Sequence, residues 1–291
     1  MGGVHFDFLN IPMKWISRED IESFINDGET KRINFASTHN NALKRVPDSN
    51  GVVGWLNLPF IQSFESIASQ ELGIDKVLFQ NSNGKFFRRI DDEDSYNQFE
   101  EFINKYNDLV FLRDCLDLSI ALSMHESAIG IRTTIGEHEF KVKYRAAEED
   151  ISEHKIALID EMQKRLDQLP FFKHADYVCC VPSAHPFMNE IVAKLQGFDF
   201  SNISDMVMWE NKDGSLKDIP TATAKLEKID TWGFKITEDL DLTDKTVLLV
   251  DDMYQSGVTM QYVAMKLKEA GASRVYGMAI VKALSNNRLN L

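Results

Sequence analysis

The stretch Thr246 to Met260, TVLLVDDMYQSGVTM, constrains the chain more than any other. Val247, Leu248, Leu249 and Val250 form an uninterrupted apolar run, which predicts a strand covered on both faces in a parallel sheet. Two adjacent carboxylates, Asp251 and Asp252, are expected where that strand stops. After a short Ser/Gly turn, Met260, Val263, Ala264 and Leu267 recur at helical spacing up to Gly271, a fitting residue just past a helix end. Strand, turn and helix in this order aim backbone N–H groups and the positive end of a helix dipole at one point, which suits a phosphate. Gly257 lets the backbone approach closely, and Ser256 and Thr259 add hydroxyl donors. Carboxylates at the carboxyl end of the strand suit either ribose hydroxyls or a magnesium ion.

These residues resemble the phosphoribosyl pyrophosphate (PRPP) motif of type I phosphoribosyltransferases, four apolar residues followed by Asp-Asp-x-x-Thr-Thr-Gly-x-Thr. The resemblance implies that Asp251 and Asp252 contact the ribose of PRPP and its Mg2+, and that Gln255, Ser256, Gly257, Val258 and Thr259 form the loop holding the 5′-phosphate. The sequence departs from that family at Gln255 and Ser256, where threonines are usual; Ser256 keeps the hydroxyl and Gln255 does not. The plainer alternative is a solvated turn after an ordinary strand. A receiver domain also opens on an apolar strand and paired aspartates, but it needs far more chain beyond them than runs from here to Leu291. A Gly-x-x-x-x-Gly-Lys-Ser/Thr phosphate loop is absent from the sequence.

The 291 residues, 44% of them hydrophobic, suffice for a buried core in one large or two ordinary domains. A formal charge of -13 argues against broad affinity for nucleic-acid backbones. Cys115, Cys179 and Cys180 show no metal-ligand spacing, so buried thiols in a reducing cytoplasm are the expectation. The first ten residues lack a basic region leading into an apolar segment. The richest apolar stretch, Leu109 to Met124, carries Arg113, Asp114 and Asp117, which argues against a membrane span.

Along the first half, Ser17 and Asp20 form a capping-box pattern ahead of a helix carrying Ile21, Phe24 and Ile25. Phe60, Phe64, Ile67 and Ala68 predict a second helix stopped by Gly73. Val77 to Gln80 and Lys85 to Ile90 predict a hairpin across Asn81 to Gly84. Tyr96, Phe99, Ile103 and Tyr106 predict a third helix, and a further helix is expected through Leu122. Ile129 to Ile135 and Glu139 to Tyr144 flank Gly136 and read as another hairpin, with Phe140, Val142 and Tyr144 on one face. Lys143-Tyr144 is similar to a Lys-Tyr element that precedes the catalytic core in phosphoribosyltransferases of the competence-protein ComF group; a solvated edge strand guarded by lysines is the plainer account.

In the second half, Glu148, Glu149 and Asp150 open a helix containing Ile159, Met162, Leu166 and Leu169. Tyr177 to Val181 predicts a strand, followed by a Pro-Ser-Ala-His-Pro loop and a helix with Ile191, Val192 and Leu195. This unit resembles the ComF-type and amidophosphoribosyltransferase-type layout, in which the loop after the first core strand binds pyrophosphate. By that match Ser183, Ala184 and His185 are the pyrophosphate-loop candidates. Asp205 to Trp209 reads as a strand. Residues 219–234 resemble the stretch that supplies a mobile loop over PRPP, with Lys225 and Lys228 as candidates to neutralise phosphate; a short helix with an exposed lysine face is the equal alternative.

Together these features predict an α/β protein. Residues 1–147 form a mixed α/β extension of unknown role, and residues 148–291 a domain with the mostly parallel sheet of the type I phosphoribosyltransferase kind. The resemblance implies a cytoplasmic enzyme with Mg2+ as cofactor, a homodimer, and transfer of ribose 5-phosphate from PRPP to a nitrogenous acceptor with loss of pyrophosphate. Two other readings stay open. One is a catalytically silent PRPP or nucleotide sensor. The other is a defence effector acting with a reverse transcriptase and non-coding RNA, because some retron-associated proteins pair such a domain with an unfamiliar extension.

Overall fold

The computed structural model describes residues 14–49, 51–147, 150–183, 185 and 187–284. In chain order the first half holds α1 (Arg18–Asn26), β1 (Arg32–Ile33), β2 (Leu43–Ser49), β3 (Val52–Leu58), α2 (Phe64–Leu72), β4 (Phe79–Gln80), β5 (Phe86–Ile90), α3 (Glu93–Lys105), β6 (Val110–Leu112), β7 (Leu118–Met124) and α4 (Thr134–Tyr144). The second half holds α5 (Ser152–Gln168), α6 (Pro170–Lys173), β8 (Tyr177–Cys180), α7 (Phe187–Val192), β9 (Ser201–Asn202), a 3-10 turn at Ser204–Met206, β10 (Val207–Trp209), α8 (Ala222–Trp232), β11 (Phe234–Ile236), β12 (Thr246–Tyr254), α9 (Val258–Glu269) and β13 (Arg274–Lys282). Glu148 and Glu149, expected to open α5, lie outside the described residues.

A seven-stranded sheet in the order β1-β6-β7-β13-β12-β8-β9 organises the molecule. Strands β7, β13, β12, β8 and β9 run parallel, while β6 is antiparallel to both β7 and β1. The expectation of a mostly parallel sheet holds. At its centre, Val247, Leu248, Leu249 and Val250 are fully buried. Leu248 and Val250 join one core with α5 and α7, and Val247 and Leu249 join another with α1, α8 and α9. Alternation of side chains across the pleat makes that division, and burying each of these side chains contributes about 1.5–3 kcal/mol. No helix among the described residues is long and apolar enough to cross a membrane.

The first half is not laid out as its periodicity suggested. The helix expected through Leu122 is the strand pair β6 and β7, whose ladder to β13 puts β7 deep in the sheet. All seven residues of β7 are buried, which suits a strand covered on both sides. Three strands from residues before the expected division at 147/148 thus share a sheet with strands after it. The hairpin expected at residues 77–90 is present as β4 and β5, within a four-stranded antiparallel sheet of order β2-β3-β5-β4.

The hairpin expected over residues 129–144 is instead a turn followed by α4. Thr133 caps that helix, its Oγ1 accepting from the Gly136 amide at 3.0 Å and donating to the Met124 carbonyl at 2.5 Å. Gly136 rests on the end of β7, where a Cβ would come within 2.1 Å of the His125 carbonyl oxygen. The cap and the close approach fix α4 at the carboxyl edge of the sheet, which brings Lys143 to the acid pair.

Candidate active site at the carboxyl edge of the sheet

Ligands of open α/β sheets bind outside the carboxyl ends of the strands, and the ends of β7, β13, β12 and β8 lie side by side here. Strand β12 does not stop at its carboxylates, as expected from sequence, but continues to Tyr254, which pairs with Lys282 of β13. Asp251 and Asp252 are therefore held in ladder geometry, with the Asp252 amide donating to Asp251 Oδ1 at 2.9 Å. Burial, then the neighbouring Asp252, push the Asp251 carboxyl well above the usual carboxylate range, against the pull of Lys143.

Asp252 meets Lys143 of α4, Nζ to Oδ2 at 2.6 Å. Glu139, one turn earlier on α4, is completely buried, and its oxygens lie 3.7 Å from Lys143 Nζ and 3.6 Å from His125 Nε2. Neither Glu139 oxygen accepts a hydrogen bond. Burial pushes the Glu139 carboxyl up to about 7, with Lys143 opposing and Asp252 adding to the shift. Burial alone would lower the Lys143 ammonium, but Asp252 and Glu139 outweigh it and hold the group above the ordinary lysine range.

The turn after β12 is shaped from beneath. Gly257 adopts φ 77° at the start of α9, and a Cβ there would lie 2.1 Å from Tyr254 Oη. Tyr254 Oη donates to Asp114 Oδ2 at 2.9 Å, and Asp114 also accepts from Ser119 Oγ at 2.8 Å and the Leu116 amide at 3.0 Å. Lys282 is wholly buried and donates to the carbonyls of Gln255 at 3.0 Å and Ala283 at 2.8 Å. Burial, then Arg32, lower its ammonium to about 7. Gln261 braces the first turn of α9 by accepting from the Cys115 amide at 3.0 Å and donating to the Gly257 carbonyl at 3.2 Å. No side chain caps α9, so its first amides remain for an anion, and Ser256 and Thr259 stand half-buried beside them.

The loop after β8 borders a cavity of roughly 570 Å³, lined by Pro182, Ser183, His185, Asn189, Trp209 and Lys212 among others. Ser183 Oγ accepts from the His185 amide at 3.2 Å; Ala184, the third pyrophosphate-loop candidate, lies outside the described residues. Trp209 Nε1 and Lys212 Nζ both donate to the Pro182 carbonyl, at 2.8 Å and 3.2 Å. Burial lowers the Lys212 ammonium, while Asp251 and Asp252 pull it back up, which puts a cation between this loop and the acid pair.

Lys225 and Lys228 are on α8, not on a loop. Lys225 is buried on the helix's inner face, and Lys228 Nζ bonds both carboxylate oxygens of Asp213 at 2.8 Å. Thr221 caps this helix, and Leu226, Ile229 and Trp232 bury its inner stripe, so the segment is a helix, but without the exposed lysine face expected at Lys225. Cys115, Cys179 and Cys180 are free and buried as expected, and burial raises all three thiols.

Residues that sequence reasoning passed over include Glu139, Asp114, Gln261, Lys282 and Lys212. The one legible sign was Lys282, a lone cation ending the otherwise apolar run VYGMAIV of β13. Among the described residues no group of three or more His, Cys, Asp or Glu side chains could hold a metal. Asp251 and Asp252 alone fit magnesium, which takes one or two carboxylates and completes its shell with water and phosphate oxygens.

Residues 148–287 match the family model described as a phosphoribosyl transferase domain. Just under half of the chain is thus a phosphoribosyl transferase domain of the type I kind. A solved hypoxanthine-guanine phosphoribosyltransferase from Bacillus anthracis is 13% identical, covering 54% of this chain and 73% of that one at a TM-score of 0.28. A second structure of the same enzyme, with a HEPES molecule in its active site, is 11% identical, covering 54% and 75% at a TM-score of 0.30. At such TM-scores the likeness adds nothing to the strand order described above. No curated protein matches the chain. The family match begins after α4, so β1, β6, β7 and Lys143 lie outside it.

Proposed function

We propose that the chain binds PRPP with Mg2+ and transfers ribose 5-phosphate to a nitrogen acceptor, a nucleobase, nucleotide or nucleic acid, releasing pyrophosphate. The observation that carries this reading is the single strand-turn-helix unit in which Asp251 and Asp252 stand a few residues before an uncapped helix start at Gly257. Amides and hydroxyls of Gln255 to Thr259 hold the 5′-phosphate. Asp251 and Asp252 hold the ribose hydroxyls and the metal. Ser183, Ala184 and His185 receive the pyrophosphate end; in support, Ser183 and His185 border a cavity that Lys212 also lines, and Lys212 feels the charge of both acids.

Departure of pyrophosphate leaves the ribose carbon electron-poor, as in glycoside cleavage. Magnesium, when bound, supplies charge neutralisation for the leaving group. The chain's own residues fix the sugar so that leaving group and acceptor lie on line, and the acid pair offers negative charge close to the developing cation. Incubating the protein with PRPP, Mg2+ and candidate bases and measuring pyrophosphate tests the reading: release that disappears in Asp251→Asn and Asp252→Asn supports it, and no release with any acceptor contradicts it.

A sensor that binds PRPP without turnover is the second reading. It is favoured by the Lys143–Asp252 ion pair, which engages one of the two acids, and by Gln255 in place of a threonine. PRPP binding by calorimetry with no pyrophosphate release would decide for it.

A further inference from the structure

One ammonium in the site serves two carboxylates. Lys143 Nζ is 2.6 Å from Asp252 Oδ2 and 3.7 Å from Glu139 Oε1. Glu139 is fully buried and accepts no hydrogen bond, and among the described residues the His125 ring, Nε2 at 3.6 Å, is the other basic group within ion-pair distance. Burying a carboxylate without a hydrogen bond is costly, so a fold that keeps one gains when a donor reaches it. That donor is already in place. Glu139 and Lys143 are four residues apart on α4, on one face and one turn apart.

We propose that Lys143 is a built-in counter-cation with two seats: it holds Asp252 when the site is empty and moves to Glu139 when a divalent cation takes Asp252. Glu139 is then a positioning residue, acting on the acid pair through Lys143. The move is an exchange of one cation for another at Asp252; where Glu139 carries a proton, that proton leaves to solvent as the ammonium arrives, and no other bond is made or broken. A ligand arriving at Asp252 need not abandon an ammonium in a dry interior, because the second carboxylate receives it. The device lies on α4, outside residues 148–287, and gives part of the N-terminal half a role in the site. It rests on the proposed function only in taking Asp252 as a cation ligand.

The test is a thermodynamic cycle on Mn2+ binding, read by electron paramagnetic resonance, with the full chain and its Lys143→Met, Glu139→Gln and double variants. Removing the competing ammonium tightens Mn2+ by about fivefold or more, the factor one unit charge at about 4 Å supplies even under bulk-water screening. Glu139→Gln weakens Mn2+ in the parent protein, because Lys143 loses its second seat. In the Lys143→Met background the same change has little effect. Equal effects of Glu139→Gln in both backgrounds would mean plain long-range electrostatics and would overturn the proposal. So would Mn2+ binding that Lys143→Met leaves unchanged, or no Mn2+ binding in any variant. If Lys143→Met alone does not fold, the double variant, whose buried pair is neutral, is compared with Glu139→Gln: it must bind Mn2+ more tightly, and equal affinity overturns the proposal. Loss of pyrophosphate release with this cycle intact would count against phosphoribosyl transfer and leave the two-seat lysine standing.

Discussion

Lys282 Nζ donates to the Gln255 carbonyl at 3.0 Å from a position with no solvent exposure. Because the peptide unit is planar and trans, turning that carbonyl inward turns the following amide, that of Ser256, to the opposite side. A buried cation at the end of β13 thereby sets the direction of an amide in the turn that the family resemblance assigns to a phosphate.

Stability should rise with pH on the alkaline side because of this lysine. An unfolded lysine keeps its proton to about 10.5, whereas Lys282 in the fold releases it near 7. Between those values the unfolded chain holds the extra proton, so raising pH favours the fold, by about 1 kcal/mol per pH unit. Urea denaturation at pH 7 to 9 should show a shallower rise for Lys282→Met than for the parent. An identical slope would remove Lys282 from the account.

Gly257→Ala should destabilise the protein. The position combines φ 77° with a Cβ site 2.1 Å from Tyr254 Oη, and Tyr254 is anchored to Asp114. Left-handed backbone costs a residue with a Cβ about 1–2 kcal/mol, and overpacking adds about 1–3 kcal/mol. Denaturant midpoints measure the loss. An unchanged midpoint would mean that the turn does not sit on Tyr254.

Thr133→Ala should cost about 1 kcal/mol, the ordinary value for losing an N-cap, since its hydroxyl bonds both the Gly136 amide and the Met124 carbonyl. Thr133→Ser should restore most of it. The pair of variants also discriminates α4 from a hairpin over the same residues, in which Thr133 would cap nothing.

The misreading of α4 has a physical source. Phe140, Val142 and Tyr144 alternate with lysines, the signature of a half-buried strand, and the buried face of the helix is marked by Gly136, Glu139 and Val142. A glycine and a glutamate carry no hydrophobic signal, so periodicity pointed the wrong way. Strands β6 and β7 were obscured for the opposite reason, because a run buried on every side has no period to read. Where one residue type permits one backbone, as at Gly73 after α2 or Ser17 before α1, sequence and structure agree. The strand-turn-helix unit of residues 246–271 was legible because its apolar run, acids and glycine each constrain it separately. Its supports, Lys143, Lys282 and Asp114, come from elsewhere in the chain, and only the folded sheet brings them together.

Asp251→Asn and Asp252→Asn should move stability in opposite directions. Burial, then the neighbouring Asp252, raise the Asp251 carboxyl, so folding at neutral pH costs either a proton taken up or a charge buried, and a neutral amide should stabilise the fold. Asp252→Asn removes the partner of Lys143, a loss that for buried pairs runs to about 3–5 kcal/mol. It should be smaller here, because Lys143 has Glu139 at 3.7 Å to fall back on. Thermal midpoints of the two variants supply the signs, and a destabilised Asp251→Asn would contradict the electrostatics described for this pair.

Titrating PRPP with Mg2+ into isotope-labelled protein and following backbone amide resonances tests whether the turn at Gly257 holds the phosphate. The expected result is that Ser256, Gly257, Val258 and Thr259 shift most, with Asp251 and Asp252 next. Shifts concentrated instead at the second cavity, roughly 450 Å³ between Glu126 and Glu137, with the turn at Gly257 unmoved, would contradict it.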